Sequence, residues 1–131
     1  MILDTTVIFD LLKGEMTAVA AVERAENRRT PIRLSAMTLY EIYGGIGYGT
    51  DAADEKREIE AIVGSKEIYD VSRKITRKAG RLAGELARRG EPLDDVGDEV
   101  VGATGVVHEE PVLTRNVSRF ERTPGLEVES Y

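Results

Sequence analysis

Cysteine is absent from this 131-residue chain, which excludes disulfides, thiol nucleophiles and Cys-ligated zinc. Histidine occurs once, as His108. A serine–histidine nucleophile or a multi-histidine metal site would rest entirely on that residue. Five Tyr and two Phe make up the aromatics, too few for extensive base stacking. No apolar run approaches the roughly 18 residues that a membrane span needs. The opening Met1-Ile2-Leu3-Asp4 carries no basic leader, so no signal peptide is visible, and the expectation is a soluble, cytoplasmic protein. Positive charge is in deficit: 18 Lys and Arg against 24 Asp and Glu leave a net −6. That balance argues against a generally basic nucleic-acid binder but leaves room for a local basic face.

What is present suits one domain spanning residues 1–131, with 41% hydrophobic residues to build its core. No internal repeat, low-complexity tract or long linker interrupts it. Residues 2–4 read as an apolar strand ending in an acid. Val7, Ile8, Leu11 and Leu12 follow helical spacing, with Asp4, Thr5 or Thr6 as cap and Gly14 as stop. A second amphipathic helix covers 16–29, and Ile32-Arg33-Leu34 is a short strand after Pro31. Ser35 caps a helix to about Tyr48, 51–63 forms a charged helix, and Glu67 to Val71 is a strand. The longest helix runs from Ser72 to about Arg89, with the stripe Ile75, Ala79, Leu82, Ala83 and Leu86, and ends at Gly90 and Pro92. Residues 98–108 form a further helix, Pro111 to Thr114 a strand, and Leu126 to Val128 a last short one. Strands alternating with helices predict an α/β fold, a three-layer α/β/α domain around a small parallel sheet.

Open parallel sheets place their working residues at the carboxyl ends of strands. There the sequence sets acids and hydroxyls: Asp4 after the first strand, Thr114 and Asn116 after the strand at 111–114, and Glu41 on the helix after the second strand. Asp94, Asp95, Asp98 and Glu99 precede or open the helix at 98–108, and spacing does not choose among them. Each has an ordinary alternative: Asp4 as a helix cap, Glu41 as a solvated charge, Asp98 as a first-turn acid favoured by the helix dipole, Asn116 as a turn residue. Together they form a hard-oxygen donor set without imidazole or sulfur, which suits Mg²⁺ or Mn²⁺. A divalent ion held by carboxylates can activate a water and stabilise a phosphodiester transition state.

The chain resembles a PIN-domain ribonuclease, specifically the VapC-type toxin of prokaryotic toxin–antitoxin pairs. The residues that carry the resemblance are Ile2-Leu3-Asp4-Thr5-Thr6-Val7-Ile8-Phe9-Asp10-Leu11-Leu12, Ser35 to Gly45 with Thr38 and Glu41, Gly90-Glu91-Pro92 followed by Asp98 to Thr104, and Pro111 to Val117 with Phe120 and Pro124-Gly125-Leu126. In the family the third acid lies six positions before a Thr, and that register selects Asp98. The resemblance implies cleavage of RNA by a water activated by Mg²⁺ or Mn²⁺. Asp4 and Asp98 would bind the metal, Glu41 would help bind the ion or position the water, and Thr6, Thr114 and Asn116 would orient these ligands. It also implies a homodimer and a cognate antitoxin. Three departures stand out. Thr6 replaces Asn or Ser, and Gly105 replaces Ala, which weakens its helix by up to ~1 kcal/mol. Asn116 replaces a fourth Asp, leaving three carboxylates and a second metal bound weakly or only with substrate phosphate.

Between 72 and 89 seven cations, Arg73, Lys74, Arg77, Lys78, Arg81, Arg88 and Arg89, face Glu85 alone. Arg73, Lys74, Arg77, Lys78 and Arg81 share one face, a candidate for RNA phosphates, with Arg115 as a further candidate beside the acids. The ordinary alternative is a solvated face that pairs with acids elsewhere. His108 reads as a helix C-terminal residue, and Tyr40, Tyr43 and Tyr48 as the lining of a groove or subunit interface. A haloacid-dehalogenase-type phosphatase would need a second Asp at position 6, and a response-regulator receiver an acid pair and a late lysine; neither pattern is met. A catalytically silent RNA- or antitoxin-binding module and a structure-specific DNA nuclease are the remaining alternatives.

Overall fold

The computed structural model describes residues 1–46 and 52–131. Along the chain these form β1 (Ile2–Leu3), α1 (Thr5–Leu12), α2 (Met16–Asn27), β2 (Arg33–Ser35), α3 (Ala36–Ile46), α4 (Ala52–Val63), β3 (Glu67–Tyr69), α5 (Arg73–Arg88), α6 (Val96–His108), β4 (Val112–Leu113), a 3₁₀ turn (Val117–Arg119) and β5 (Val128–Glu129). The five strands make one parallel sheet in the order β3-β2-β1-β4-β5, so the predicted α/β/α architecture is present.

Side chains alternate across the strands, and this divides the core. Leu3, Leu34 and Leu113 face α1 to α4, meeting Val7, Ile8, Val22, Ile42 and Ile59. Ile2 and Val112 face the other way, against Val101 of α6 and Phe120 just past the 3₁₀ turn. Outside α6 lies α5, whose Ile75, Ala79 and Leu82 pack on Val100 and Ala103. α6 is therefore covered on two sides. Gly105 reflects that squeeze: a Cβ there would lie 2.5 Å from Leu126 Cδ1 and 3.0 Å from the Glu110 carbonyl oxygen. The local helix penalty of this glycine is offset by close packing.

Boundaries differ from the sequence expectation where pairing or capping decides them. The strands are two or three residues long, shorter than their apolar runs, and the last shifts to Val128–Glu129 because those residues pair with Val112 and Leu113. β3 stops at Tyr69 rather than Val71. α2 ends at Asn27, and Arg29 takes a positive φ of 56°. α3 is described to Ile46; the expected extension to Tyr48, and Asp51 at the start of the next helix, lie outside the described residues. α6 starts at Val96 rather than 98, because the Asp95 side chain caps it by accepting the Asp98 N–H at 3.0 Å.

Candidate functional site

β1 leads outward to β2 and β3, and β4 returns to pair on the other side of β1. The chain order reverses there, and such a reversal opens a crevice at the strands' carboxyl ends. Asp4 leaves β1 at this point, buried to 2% exposure. It occupies the cap position of α1, but its side chain makes no cap bond. Instead the Thr6 and Thr114 hydroxyls each donate to Asp4 Oδ2 at 2.8 Å. Thr114 is held in turn by the Asn116 N–H at 2.9 Å, and Thr6 by the Arg115 N–H at 3.3 Å. β1, α1 and the segment after β4 thus fix one carboxylate between them.

Glu41, half-buried on α3, accepts from the Thr5 hydroxyl at Oε2. Its Oε1 rests against Gly97 at the start of α6, where a Cβ would collide with it. Asp98, in the first turn of α6, is also 2% exposed. Its Oδ2 is buried without a hydrogen-bond partner; Arg119 Nε stands 3.2 Å away, at ion-pair distance but off the hydrogen-bond direction. Arg119 Nη2 meets Asp95 Oδ2 at 3.2 Å. Burial pushes the Asp98 carboxyl up to about 7; Arg119 opposes this, while the charges of Asp95, Asp4 and Glu41 add to it. Glu41 is raised by burial as well, against the hydrogen bond from Thr5, with Asp4 and Asp95 adding their charge. The three predicted acids therefore feel one another across the crevice.

Other predicted site residues lie differently. Asn116 sits exposed before the 3₁₀ turn, its side chain accepting from the Ser118 hydroxyl at 3.2 Å. Arg115 is paired: its Nη1 reaches the buried Asp10 at 2.8 Å, and Asp10 also accepts from the Tyr131 hydroxyl at 2.8 Å. Lys74, Arg77, Lys78 and Arg81 line a shallow cavity of about 190 Å³ with Val107, and Arg73 is exposed on the same helix. Val107 is nine residues beyond Asp98 on α6, about 14 Å along the axis at 1.5 Å per residue. The structure does not bring this basic face to the acids. His108 ends α6 and stacks on Tyr69, with ring centroids 3.6 Å apart. Tyr40 and Tyr43 are exposed, and Tyr48 lies outside the described residues.

Thr5 and above all Arg119 emerge from the structure as partners of the acids, Asp10 as the partner of Arg115, and Asp95, one of the four acids left open by spacing, is placed beside Arg119. Nothing local in the sequence separates Arg119 from Arg122. What places it is Phe120, fully buried beside it, whose insertion fixes the direction of the preceding turn.

Among the described residues no three His, Asp or Glu side chains form a ready-made ion cage. The donors nonetheless fit a hard divalent ion. Mg²⁺ commonly takes one or two protein carboxylates and keeps its remaining sites for water and phosphate. The unpartnered buried oxygen of Asp98 is a donor of that kind. Asp4 and Asp98 are the residues able to hold such an ion, with Glu41 adjacent.

Fold and site together define an α/β domain with an acidic crevice at its topological switch point. The sequence model of the PIN domain matches residues 1–126, and the chain belongs to that family. It is 30% identical to ribonuclease VapC19 of Mycobacterium tuberculosis over 126 residues, 96% of each chain. It is 25% identical to the tRNA(fMet)-specific endonuclease VapC of Salmonella typhimurium, over 98% of this chain and 96% of the relative. Among solved structures, VapBC2 of Rickettsia felis bound to a promoter DNA fragment superposes with a TM-score of 0.89 at 21% identity, covering 99% of this chain and 97% of that one. The DNA-bound VapBC of Salmonella typhimurium superposes with a TM-score of 0.87 at 25% identity, covering 98% and 96%. Among the described residues no helix is long and apolar enough to cross a membrane.

Proposed function

We propose that this chain is a divalent-metal-dependent endoribonuclease, the toxin of a type II toxin–antitoxin pair, working as one PIN-like unit over residues 1–131. The carrying observation is Asp98: a buried carboxylate oxygen with no hydrogen-bond partner, in a crevice shared with Asp4 and Glu41. Arg119 stands at ion-pair distance from this oxygen without hydrogen-bonding to it, so its lone pairs remain available to a divalent ion, which would satisfy them. The names of the relatives supply the substrate class, and their solved complexes the antitoxin partner. An RNA substrate, a cognate antitoxin and a second copy in a homodimer are the proposed partners, and the cytoplasm the proposed compartment.

Asp4 and Asp98 would hold Mg²⁺ or Mn²⁺. When bound, the ion supplies an activated water and a positive charge for the phosphodiester transition state. Thr6 and Thr114 keep Asp4 in one orientation by occupying its Oδ2. Thr5 donates to Oε2 of Glu41 and α6 packs against Oε1 at Gly97, which would hold this carboxylate where it can help bind the ion or position the attacking water. Asn116, having no titratable carboxyl, supports Thr114 through its backbone N–H.

The test is cleavage of a mixed tRNA and rRNA substrate by antitoxin-free protein, with Mn²⁺ or Mg²⁺ and with chelator, beside an identically prepared Asp98→Ala variant. Cleavage is expected only with metal and is expected to fall by about 100-fold or more in the variant. Equal activity in both preparations marks a contaminating nuclease. RNA binding without cleavage in either points to a silent module.

A further inference from the structure

The crevice already contains a cation. Arg119 Nε lies 3.2 Å from Asp98 Oδ2 and Arg119 Nη2 lies 3.2 Å from Asp95 Oδ2. Its position is built in. The 3₁₀ turn closes with the Phe120 N–H donating to the Val117 carbonyl at 2.9 Å, and Phe120 is buried at 0% exposure against Ile2, Val101 and Val112. Asp95 is equally fixed, since its other oxygen caps α6. The Arg119 side chain is itself only partly covered, at 30% exposure, so an incoming phosphate can reach it.

Three carboxylates around one divalent ion leave excess negative charge where a phosphodiester must approach. Two-metal nucleases relieve this with a second ion. A guanidinium is always charged and forks onto carboxylate or phosphate with equal ease. We infer that Arg119 is the built-in second cation of this crevice: it balances the acids before a divalent ion arrives and, with one ion bound, turns its fork to the scissile phosphate. This rests on the reading of Asp4 and Asp98 as metal ligands. It predicts a conflict within one residue, because Arg119 competes with metal for Asp98 yet serves the reaction afterwards.

The test is a calorimetric titration of the metal-free full chain with Mn²⁺, for wild type, Arg119→Gln and Arg119→Lys, with thermal melts to establish that each is folded. Removing the charge that stands 3.2 Å from Asp98 is expected to tighten Mn²⁺ binding by about tenfold or more in R119Q, with R119K staying near wild type. At saturating Mn²⁺, R119Q is expected to cleave the RNA mixture about tenfold or more slowly despite its tighter metal. A purely structural arginine would not produce opposite changes in the two readouts. Mn²⁺ affinity unchanged or weakened in R119Q, or undiminished cleavage at saturation, overturns the inference while leaving the metal site standing. No Mn²⁺ binding by wild type or variants overturns both.

Discussion

A methyl group on Gly97 would collide with Glu41 Oε1 and come within 2.9 Å of Asp95 Oδ1. Glu41 is the far end of a flexible side chain, so the backbone can hold its course while the carboxylate gives way. Gly97 is also a helical residue, and Ala there is intrinsically better by up to ~1 kcal/mol. The methyl also presses on the Asp95 oxygen that caps α6, a loss of about the same size as the helix gain, so Gly97→Ala is expected to change the melting temperature little while lowering metal-dependent RNA cleavage by about tenfold or more. Thermal melts and initial rates on one preparation check this, and a variant that cleaves normally would show that Glu41's place against α6 is immaterial. The same neighbourhood shows where sequence reading stops. Asp94, Asp95, Asp98 and Glu99 are equivalent by spacing. The cap bond from Asp95 sets the phase of α6 and so turns Asp98 inward, leaving Asp94 exposed. Spacing cannot reveal a cap that starts the helix two residues early.

At the scale of elements, the long helix was the most legible: of its stripe Ile75, Ala79, Leu82 and Leu86 are buried and Ala83 half-buried, and Ser72 caps it, as the 3.6-residue period requires. The strands were legible as apolar runs but not in their limits, because two-residue strands are defined by their partners rather than by their own sequence. Equally hidden was the tie at the opposite, amino-terminal edge of the sheet. Glu110 Oε1 accepts from Arg33 of β2 at 2.9 Å and from the Tyr69 hydroxyl of β3, and its Oε2 from the Met1 ammonium before β1 at 2.6 Å. One carboxylate thus joins three strands to the connection entering β4. Burial pulls its proton affinity up, but the hydrogen bonds from Met1 and Tyr69 and the charges of Met1 and Arg33 outweigh it and hold the carboxyl below its usual range. A depressed carboxyl contributes stability above its unfolded value and loses it as pH falls through the folded one. Glu110→Gln is expected to cost about 2–4 kcal/mol at pH 7, with the difference from wild type shrinking below about pH 4. Denaturant melts across pH 3 to 7 check this; a gap independent of pH would mean that the carboxylate's charge contributes nothing.

For the whole molecule the problem is electrostatic: a chain of net charge −6 must approach a polyanion. Its densest group of cations, on α5, lies away from the crevice. Lys74 and Lys78 border a second shallow cavity, of about 370 Å³, with Val106, Val107 and Glu109, at the carboxyl end of α6, whereas Asp98 marks the amino end. The separation of about 14 Å along the helix exceeds the Debye length of about 8 Å at physiological salt. The acids therefore do not cancel the basic face in solution, and the basic face does not neutralise the acids. If the basic face binds RNA and the crevice cleaves it, capture and cleavage are separable, the first carried by α5 beside the carboxyl end of α6 and the second by the amino end of α6. If α5 captures RNA, the double variant Lys74→Gln/Lys78→Gln should bind tRNA more weakly in chelator. The slope of log affinity against log salt should flatten by roughly 1–2 between 50 and 200 mM, since each phosphate contact contributes about 0.7–0.9. Its Mn²⁺ affinity should match wild type, because the two lysines border the carboxyl end of α6, more than a screening length along the helix from Asp98. A filter-binding or anisotropy series over that salt range, with a Mn²⁺ titration on the same preparation, checks both halves. An unchanged salt slope would reduce the basic face of α5 to solvated surface and move RNA capture to the rim of the crevice, where Arg119 is the cation already in place.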